Sequence, residues 1–304
     1  MAKQKVLAIV GPTGVGKTSL SITCARLFDG EVISGDSMQV YRGMDIGTAK
    51  IKDEEKQGIR HYLLDIQSYD QPFHVMAFQE KCRAAIESAA SHHKLPIVCG
   101  GTGLYLKAAL YDYEFEEQPG DKAYEKELEG METSALYECL KQEDPASTKT
   151  IHPNNRKRII RALQIARSGT TKSEREAAQR HEPLYDILWI GLDLERSRLM
   201  ERIDERVEQM FAQGLVEEAS RLFSDPKTWE YTSFQGIGYK EFKPYFLKEW
   251  SEEMVKEKIK IHTRQYAKRQ MTWFNHQIPV RWFEKTDQDS ILKTVKEWYD
   301  DKGE

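Results

Sequence analysis

The stretch KVLAIVGPTGVGKT, residues 5–18, decides how the rest of the sequence is interpreted. A short apolar run leads into a glycine-rich turn, and TSLSITCARLF (18–28) then has the composition of a helix. The turn, Gly11-Pro12-Thr13-Gly14-Val15-Gly16-Lys17-Thr18, matches the pattern of a phosphate-binding loop (P-loop). In such a loop, backbone N–H groups and a helix N-terminus surround an anion, and the lysine adds a full positive charge. The match predicts a site for a ligand that contains pyrophosphate; a plain glycine-rich turn is the alternative.

The segments around the loop predict an α/β fold. Apolar runs of strand length alternate with helical stretches of ten to twenty residues, which is typical of a parallel sheet covered on both faces. We therefore expect a P-loop NTPase-like parallel sheet flanked by helices. Its further strands are predicted at EVISG (31–35), HYLLDI (61–66), LPIVCGG (95–101), YDILWIGLDL (185–194) and VRWF (280–283).

The character of the chain changes after Tyr111. Residues 112–132 are strongly acidic, and the sequence stays polar and poor in strand signals until about Pro183. We therefore predict a catalytic core made of residues 1–114 and 184–304, with residues 115–183 forming a helical insertion domain.

Composition limits the function classes. Charged residues make up 31% of the 304 residues and the net charge is −4, so a nucleic-acid partner would have to bind local basic patches. The first apolar run is too short for a signal or membrane segment, and the four cysteines are scattered. We expect a monomer in the cytoplasm, with reduced thiols and no membrane contact.

Two further segments are expected at the same sheet edge as the P-loop. Asp36 follows the second strand, where a carboxylate could hold Mg²⁺ through water, accept a proton from a nucleophile, or simply cap a turn. The turn Gly100-Gly101-Thr102-Gly103 follows another strand. That strand ends without the acidic residue that an ATP hydrolase uses on magnesium and water.

Two basic clusters are candidates for contact with nucleic-acid phosphates. The first is NNRKRIIR (154–161), which contains Arg156, Arg158 and Arg161. The second repeats a cation every four residues, with aromatic residues interleaved; it comprises Lys256, Lys260, Arg264 and Lys268, with Tyr266 and Trp273. Charged helix faces are often merely solvated, but two clusters in an acidic chain favour a phosphate backbone as partner.

These residues resemble one family, the bacterial tRNA dimethylallyltransferases, also called tRNA isopentenyltransferases. The similarity runs through most of the chain, and its most specific segment is DSMQVYRGMDIGTAK (36–50), which P-loop kinases in general lack. The other matching segments are GPTGVGKTSLS, HYLLDI, GGTGLYLKA, NNRKRIIRALQI, RLMERIDERVEQM with GLVEE, QGIGYKE and RQYAKRQMTWF.

The resemblance implies transfer of a dimethylallyl group from dimethylallyl pyrophosphate to the exocyclic N6 amine of the adenosine immediately 3′ of the anticodon. It implies that residues 11–18 bind the donor's pyrophosphate, with Lys17 and Thr18 acting on it and Mg²⁺ bound at Thr18. Asp36 is implied as the general base, Ser37, Met38 and Gln39 as lining the target nucleotide, and Thr102 as contacting nucleotide or donor. The anticodon stem-loop of tRNA is the expected partner, bound by these residues and by Arg156, Arg158, Arg161, Arg264 and Lys268.

Three other functions remain open from sequence. An adenylate isopentenyltransferase would share the P-loop and Asp36 but would need neither the insertion nor the basic clusters. A small-molecule kinase would need an acidic residue after residues 96–101, and the sequence lacks one there. A GTPase-like switch would need a guanine-specificity motif, and no segment resembles one. Arg202 and Arg206 could clamp the pyrophosphate, or could equally pair with Glu201, Glu205 or Glu208 on the surface.

Overall fold

A computed structural model describes residues 3–115 and 121–301 of the chain. Within these residues, six strands form one sheet in the order β3-β2-β4-β1-β5-β6, and every neighbouring pair is parallel. The strands are β1 Lys5–Val10, β2 Gly30–Ser34, β3 His61–Tyr62, β4 Leu95–Cys99, β5 Asp186–Asp193 and β6 Arg281–Glu284. The predicted α/β class, with a parallel sheet flanked by helices, is confirmed.

The described residues form twelve α-helices and four short 3₁₀ turns. The helices are α1 Lys17–Leu27, α2 Val75–Ser91, α3 Gly103–Leu110, α4 Lys122–Gly130, α5 Thr133–Glu143, α6 Arg156–Ala166, α7 Lys172–Ala178, α8 Arg196–Ala212, α9 Leu215–Phe223, α10 Lys243–Phe246, α11 Glu252–Gln277 and α12 Gln288–Asp300. The 3₁₀ turns are Ser147–Lys149, Pro226–Glu230, Ser233–Gln235 and Lys240–Phe242. None of the described helices is long and apolar enough to cross a membrane.

The central strands are apolar on both faces because helices cover both. β1 is buried from Val6 to Val10, as expected of a strand with helices on either side. One core contains Phe78 of α2, Leu106 of α3 and Phe274 of α11. The other face is covered by apolar side chains of α1, α8 and α12, namely Leu20, Leu199, Ile203, Ile291 and Val295.

The third predicted strand is much shorter than residues 61–66. It ends at Tyr62, because Leu63 and Asp65 have φ angles of 62° and 56°, in the left-handed region. Extended backbone cannot continue through such residues, so the pairing with β2 stops after His61 and Tyr62.

The chain divides into two compact units. One comprises residues 1–111 and 183–304, and the other is Asp112–Glu182, which covers nearly the same residues as the insertion expected from sequence. Helices α4 to α7 lie in the second unit, and its core consists of Leu128, Leu136, Leu140, Ile151, Ile159, Ala162 and Leu163. The acidic stretch of residues 112–132 falls in part on residues 116–120, which lie outside the described residues.

A buried carboxylate ties this second unit together. Asp144 accepts hydrogen bonds from the backbone and hydroxyl groups of both Ser147 and Ser173. Burial alone would raise its pKa, but these four donors hold the pKa below its usual value. Asp144 therefore joins the start of α7 to the segment after α5.

Candidate functional site

The P-loop joins the end of β1 to the first turn of α1. Gly16 is the N-cap of α1 and has a φ of 108°, a conformation in which a side chain would be strained. The Lys17 ammonium donates to the carbonyls of Gly11 (3.0 Å) and Pro12 (2.8 Å), so it lies across its own loop. The sequence pattern therefore has the predicted context of strand, turn and helix.

Burial lowers the pKa of Lys17 to about 8. Arg206 acts in the same direction, whereas Cys99 and Asp36 oppose the shift. Since a buried cation without a full counter-charge is unfavourable, an anion bound in this loop would stabilise the charged form of Lys17.

Asp36 lies where β2 ends, in a tight turn. Its Oδ1 accepts the N–H of Met38 (2.8 Å), and the Ser37 N–H donates to the Thr102 hydroxyl at 3.4 Å. One function of Asp36 is thus the turn role that was the alternative at sequence level. Its carboxylate also lines the same cavity as Thr18, so a turn role and a chemical role are compatible.

Gln39 is fixed by its own hydrogen bonds. Its Oε1 accepts from the Ser34 hydroxyl (3.2 Å) and its Nε2 donates to the carbonyl of Thr48 (3.2 Å). Gln39 and Thr48 both line the cavity, whereas Ser37, Met38 and Thr102 are not among its lining residues. Met38 packs against Gly236 instead.

One face of α11 covers the turn Gly100–Gly103. The Gln270 amide donates to the carbonyl of Gly101 (3.0 Å) and accepts the N–H of Thr13 in the P-loop (2.9 Å). A side chain at Gly101 would place a Cβ 2.0 Å from the nitrogen of this amide, so a larger residue there would displace Gln270 from its hydrogen bonds. Gln270 is buried, and it joins the two loops that the sequence predicted to be neighbours.

The aromatic residues of α11 belong to the same face. Tyr266 interacts with the side chains of Thr102 and Gln270, and the Trp273 indole lies against Gly103. Burial, together with the negative charge of Asp36, raises the pKa of Tyr266 to about 12. Tyr266 and Trp273, which the sequence analysis grouped with the basic cluster of α11, therefore pack against the turn Gly100–Gly103.

Two arginines of α8 face the cavity. Arg206 lies 3.5 Å from the carbonyl of Ala49, and burial lowers its pKa. In the described part of the chain neither Arg202 nor Arg206 forms an ion pair; Glu208 pairs with lysines of α11 instead. Of the two roles open at sequence level, the structure therefore favours a clamp over surface pairing.

These elements enclose a cavity of about 390 Å³. Its lining combines the phosphate loop, three cationic side chains, the carboxylates of Asp36 and Glu205, and the amides of glutamine residues. The lining residues are Thr13, Gly14, Gly16, Lys17, Thr18, Asp36, Gln39, Thr48, Cys99, Gly100, Gly101, Arg202, Glu205, Arg206, Gln209, Tyr266 and Gln270. Such a cavity suits a ligand with a strongly anionic end.

The protein donors available for a divalent metal are few. Within the described residues, no three His, Cys, Asp or Glu side chains come together as a metal cluster. Mg²⁺ on phosphate ligands often needs only one or two protein oxygens, because water and phosphate oxygens complete its octahedron. The Thr18 hydroxyl and the Asp36 carboxylate, in one cavity, fit this donor set.

The segment 44–49 beside the cavity is held by a residue that sequence reasoning missed. Glu218 of α9 is buried and accepts the N–H groups of Asp45, Ile46 and Gly47, and the hydroxyl of Tyr239 at 2.7 Å. These hydrogen bonds connect the GLVEE, QGIGYKE and DIGTAK segments, which lie far apart in the sequence. The signal available in the sequence was an acidic residue in the apolar stripe of a short helix.

The basic cluster of α11 is largely neutralised. Lys256 and Lys260 contact Glu208 at 3.0 and 2.7 Å, and Arg264 forms a two-pronged ion pair with Asp204. Lys268 is exposed. Three of the four cations of this cluster therefore form ion pairs with α8.

The cluster on α6 is mixed. The Arg156 guanidinium donates to the carbonyls of Leu128, Glu129 and Met131, which satisfies the end of α4. Arg158 and Arg161 are exposed, and neither has an ion-pair partner in the described ranges. Arg156 therefore stabilises the insertion, while the other two are available for a ligand.

Comparisons with known proteins agree with these features. A family model described as IPP transferase matches residues 39–277. The tRNA dimethylallyltransferase of Geobacillus thermodenitrificans (strain NG80-2) is 47% identical over 299 residues, covering 97% of this chain and 95% of that protein. That of Enterococcus faecalis (strain ATCC 700802 / V583) is 44% identical, covering 98% of this chain and 99% of its own.

Solved structures agree as well. The tRNA delta(2)-isopentenylpyrophosphate transferase of Staphylococcus epidermidis is 41% identical, with a TM-score of 0.72, covering 97% of this chain and 99% of its own. A eukaryotic dimethylallyltransferase, described as acting on tRNA, is 32% identical with a TM-score of 0.81, covering 97% of this chain and 77% of its own. Identity of this extent over nearly the whole chain confirms the resemblance first noted in DSMQVYRGMDIGTAK, and the chain therefore belongs to the family of bacterial tRNA dimethylallyltransferases.

Proposed function

We propose that this chain transfers a dimethylallyl group from dimethylallyl pyrophosphate to the N6 amine of the adenosine immediately 3′ of the anticodon in tRNA. The observation that supports it best is the shared cavity, in which the P-loop and the arginines of α8 lie with Asp36 and Gln39. A prenyl transfer needs a donor half of the cavity, which binds the anionic leaving group, and an acceptor half, which takes a proton from the acceptor. We further propose that the protein acts in the cytoplasm and as a monomer.

The donor half stabilises negative charge on the leaving group. As the bond between the allylic carbon and the pyrophosphate oxygen breaks, charge grows on the pyrophosphate. The cavity-lining part of the P-loop, with Lys17, Arg202 and Arg206, would meet this charge with backbone N–H groups and cations. One preorganised donor of this kind is typically worth about 3 kcal/mol. Thr18 would hold a Mg²⁺ that supplies further positive charge to the pyrophosphate.

The acceptor half activates a weak nucleophile. The lone pair of the adenine amine is delocalised into the ring, so the amine attacks poorly without help. Asp36 would hydrogen-bond to the amine and take its proton as the new carbon–nitrogen bond forms. Gln39, held by Ser34 and Thr48, would bind the edge of the base, which must leave its stack to enter the cavity.

Binding of the RNA backbone is assigned to the cations that lack protein partners. Arg158 and Arg161 on α6, and Lys268 on α11, are exposed and can release counterions when they contact phosphates. Arg156 and Arg264 are left out of this assignment because the carbonyls at the end of α4 and the carboxylate of Asp204 already occupy them.

The decisive experiment supplies donor, Mg²⁺ and an anticodon stem-loop to the purified protein and analyses the nucleosides produced. We expect dimethylallyl-adenosine at one position of the stem-loop and little product when AMP replaces the RNA. Equal turnover of AMP would favour an adenylate isopentenyltransferase. ATP hydrolysis without prenyl transfer would indicate a kinase-like enzyme and would contradict the proposal.

A further inference from the structure

Lys285 lies against the P-loop from outside the segments discussed so far. It follows β6, and its backbone N–H donates to the carbonyl of Asp193 at 3.2 Å, which continues the pairing of β6 with β5. β5 also pairs with β1, so the turn after β6 emerges at the sheet edge that carries the loop. Parallel pairing thus brings Lys285 against the phosphate loop.

The contact of Lys285 is with the glycine that caps α1. A Cβ built at Gly16 would be 2.9 Å from Cε of Lys285, 3.3 Å from Cδ and 3.4 Å from Nζ. The lysine arm therefore crosses the loop directly over Gly16, a residue that lines the cavity. A larger residue at position 16 would displace the lysine.

The charges described around Lys285 are positive, which favours binding of an anion there. Arg202, which lines the cavity, is close enough to repel the ammonium, and the N-terminus of α1 carries partial positive charge. Burial, together with this repulsion from Arg202, lowers the pKa of Lys285. Over residues 3–115 and 121–301 no carboxylate forms an ion pair with it. Like charges held together without a counter-ion are stabilised when a polyanion binds between them.

We propose that Lys285 is a second lysine contact to the pyrophosphate, acting on the donor and on the released product from the β6 side of the loop. This inference rests on the proposed function, since it assigns a further residue to the same site. Lys285 lies outside residues 39–277, the part of the chain matched by the family model. A purely structural role would instead use the aliphatic arm to cover Gly16 and leave the charge in solvent.

Two substitutions separate these roles. Lys285→Met keeps an arm of similar length without the charge, and Lys285→Arg keeps the charge. Lys296→Met, on the exposed face of α12, is the matched control because it removes one cation elsewhere in the same region. Titration calorimetry with inorganic pyrophosphate and Mg²⁺ reports the contact directly, without any need for turnover.

For Lys285→Met we expect pyrophosphate to bind roughly tenfold more weakly than to the wild type, as for loss of one charge-assisted hydrogen bond. The KM for dimethylallyl pyrophosphate should rise by a similar factor, with stem-loop affinity and melting temperature close to those of Lys296→Met. Lys285→Arg should restore most of the affinity. Equal pyrophosphate affinity in Lys285→Met and Lys296→Met would overturn the proposal, as would failure of Lys285→Arg to recover. If Lys285→Met does not fold, Lys285→Gln takes its place in the same comparison.

The outcome for Lys285 is distinct from the outcome for the proposed function. If the wild-type protein transfers no prenyl group, the function fails, while the pyrophosphate titrations still compare the variants. If it transfers the group normally and Lys285→Met behaves like the control, only the inference about Lys285 fails.

Discussion

The two faces of α8 differ in what they do with charge. One face turns Arg202 and Arg206 toward the cavity, where neither has an ion-pair partner among the described residues. The other face, with Asp204 and Glu208, neutralises cations of α11. A count of charges along α8 or α11 would not separate these faces. A cation without an ion-pair partner in the protein indicates a ligand site. A cation that pairs with a carboxylate of a neighbouring helix indicates a helix interface.

The pKa shifts follow the same division. Burial lowers the pKa values of Lys17 and Arg206 in the cavity. The hydrogen bond to Glu208 raises the pKa of Lys256. Burial alone would lower the pKa of Lys260, but Glu208 and Glu257 raise it overall. The cavity therefore holds its cations at a cost that an anionic ligand can offset, whereas the interface cations need no ligand.

The largest effect should come from Asp36, the carboxylate that shares the cavity with the unpaired cations. Asp36→Asn keeps the shape of the side chain and its acceptor for Met38 N–H, but removes the proton acceptor. We expect kcat to fall by about 10²–10⁴ with donor and stem-loop affinities nearly unchanged, as measured in single-turnover assays. Weakened donor binding, with activity restored by high Mg²⁺, would assign Asp36 to metal ordering instead.

Lys17→Ala should cause the next largest loss of activity. The variant loses the cation that the P-loop wraps, so we expect kcat/KM for the donor to fall by about 10²–10³. Stem-loop affinity, measured by filter binding, should stay within error of the wild type. A parallel loss of RNA affinity would mean that the cavity cations contact RNA, and the distinction between cavity and interface would break down.

The pH dependence should report Lys17 in the free enzyme. The ammonium binds pyrophosphate only when charged, and its pKa is about 8 because of burial. Raising the pH through this value neutralises Lys17, so kcat/KM for the donor should fall up to about tenfold per pH unit above it. This inflection should be missing in Lys17→Ala. A wild-type profile that stays flat to pH 10 would contradict the assignment.

The smallest expected effect is on the salt dependence of RNA binding, and it compares an unpaired with a paired arginine. The sequence analysis treated these two arginines alike. Arg158→Gln removes an exposed, unpaired cation and should reduce the log–log salt slope of stem-loop binding by about one unit. Arg264→Gln removes a cation that Asp204 already neutralises, so the slope should not change. Its cost should appear in thermal unfolding, at about 1 kcal/mol or less. Equal slopes for the two variants would contradict the distinction between unpaired cations that bind RNA and ion-paired cations that do not.

The sequence predicted those parts of the site that depend on local order. The P-loop could be identified because its glycines, Lys17 and Thr18 are consecutive, and the alternation of strands and helices placed Asp36 at the same sheet edge. The parallel sheet followed from the same alternation. The limits of the third strand could not be predicted, because nothing in the sequence indicates left-handed backbone at Leu63 and Asp65.

The parts that could not be predicted depend on which helix face meets which neighbour. Periodicity showed the cations of α11 but not that α8 supplies Asp204 and Glu208 against them. Arg156 and Arg158 look alike in sequence, yet only the first reaches the carbonyls at the end of α4. Gln270 and Glu218 were missed because a buried polar residue becomes recognisable only when its partners in distant segments are known.

The amide of Gln270 has a mechanical consequence. Because it holds Thr13 with one atom and Gly101 with another, the phosphate loop and the turn Gly100–Gly103 form one linked unit. To move one loop without the other, the protein must break a hydrogen bond worth about 1 kcal/mol. The donor loop and the turn next to Asp36 therefore resist independent motion. If a ligand bound at one loop strengthens binding at the other, thermodynamic reciprocity requires the second ligand to strengthen the first by the same factor.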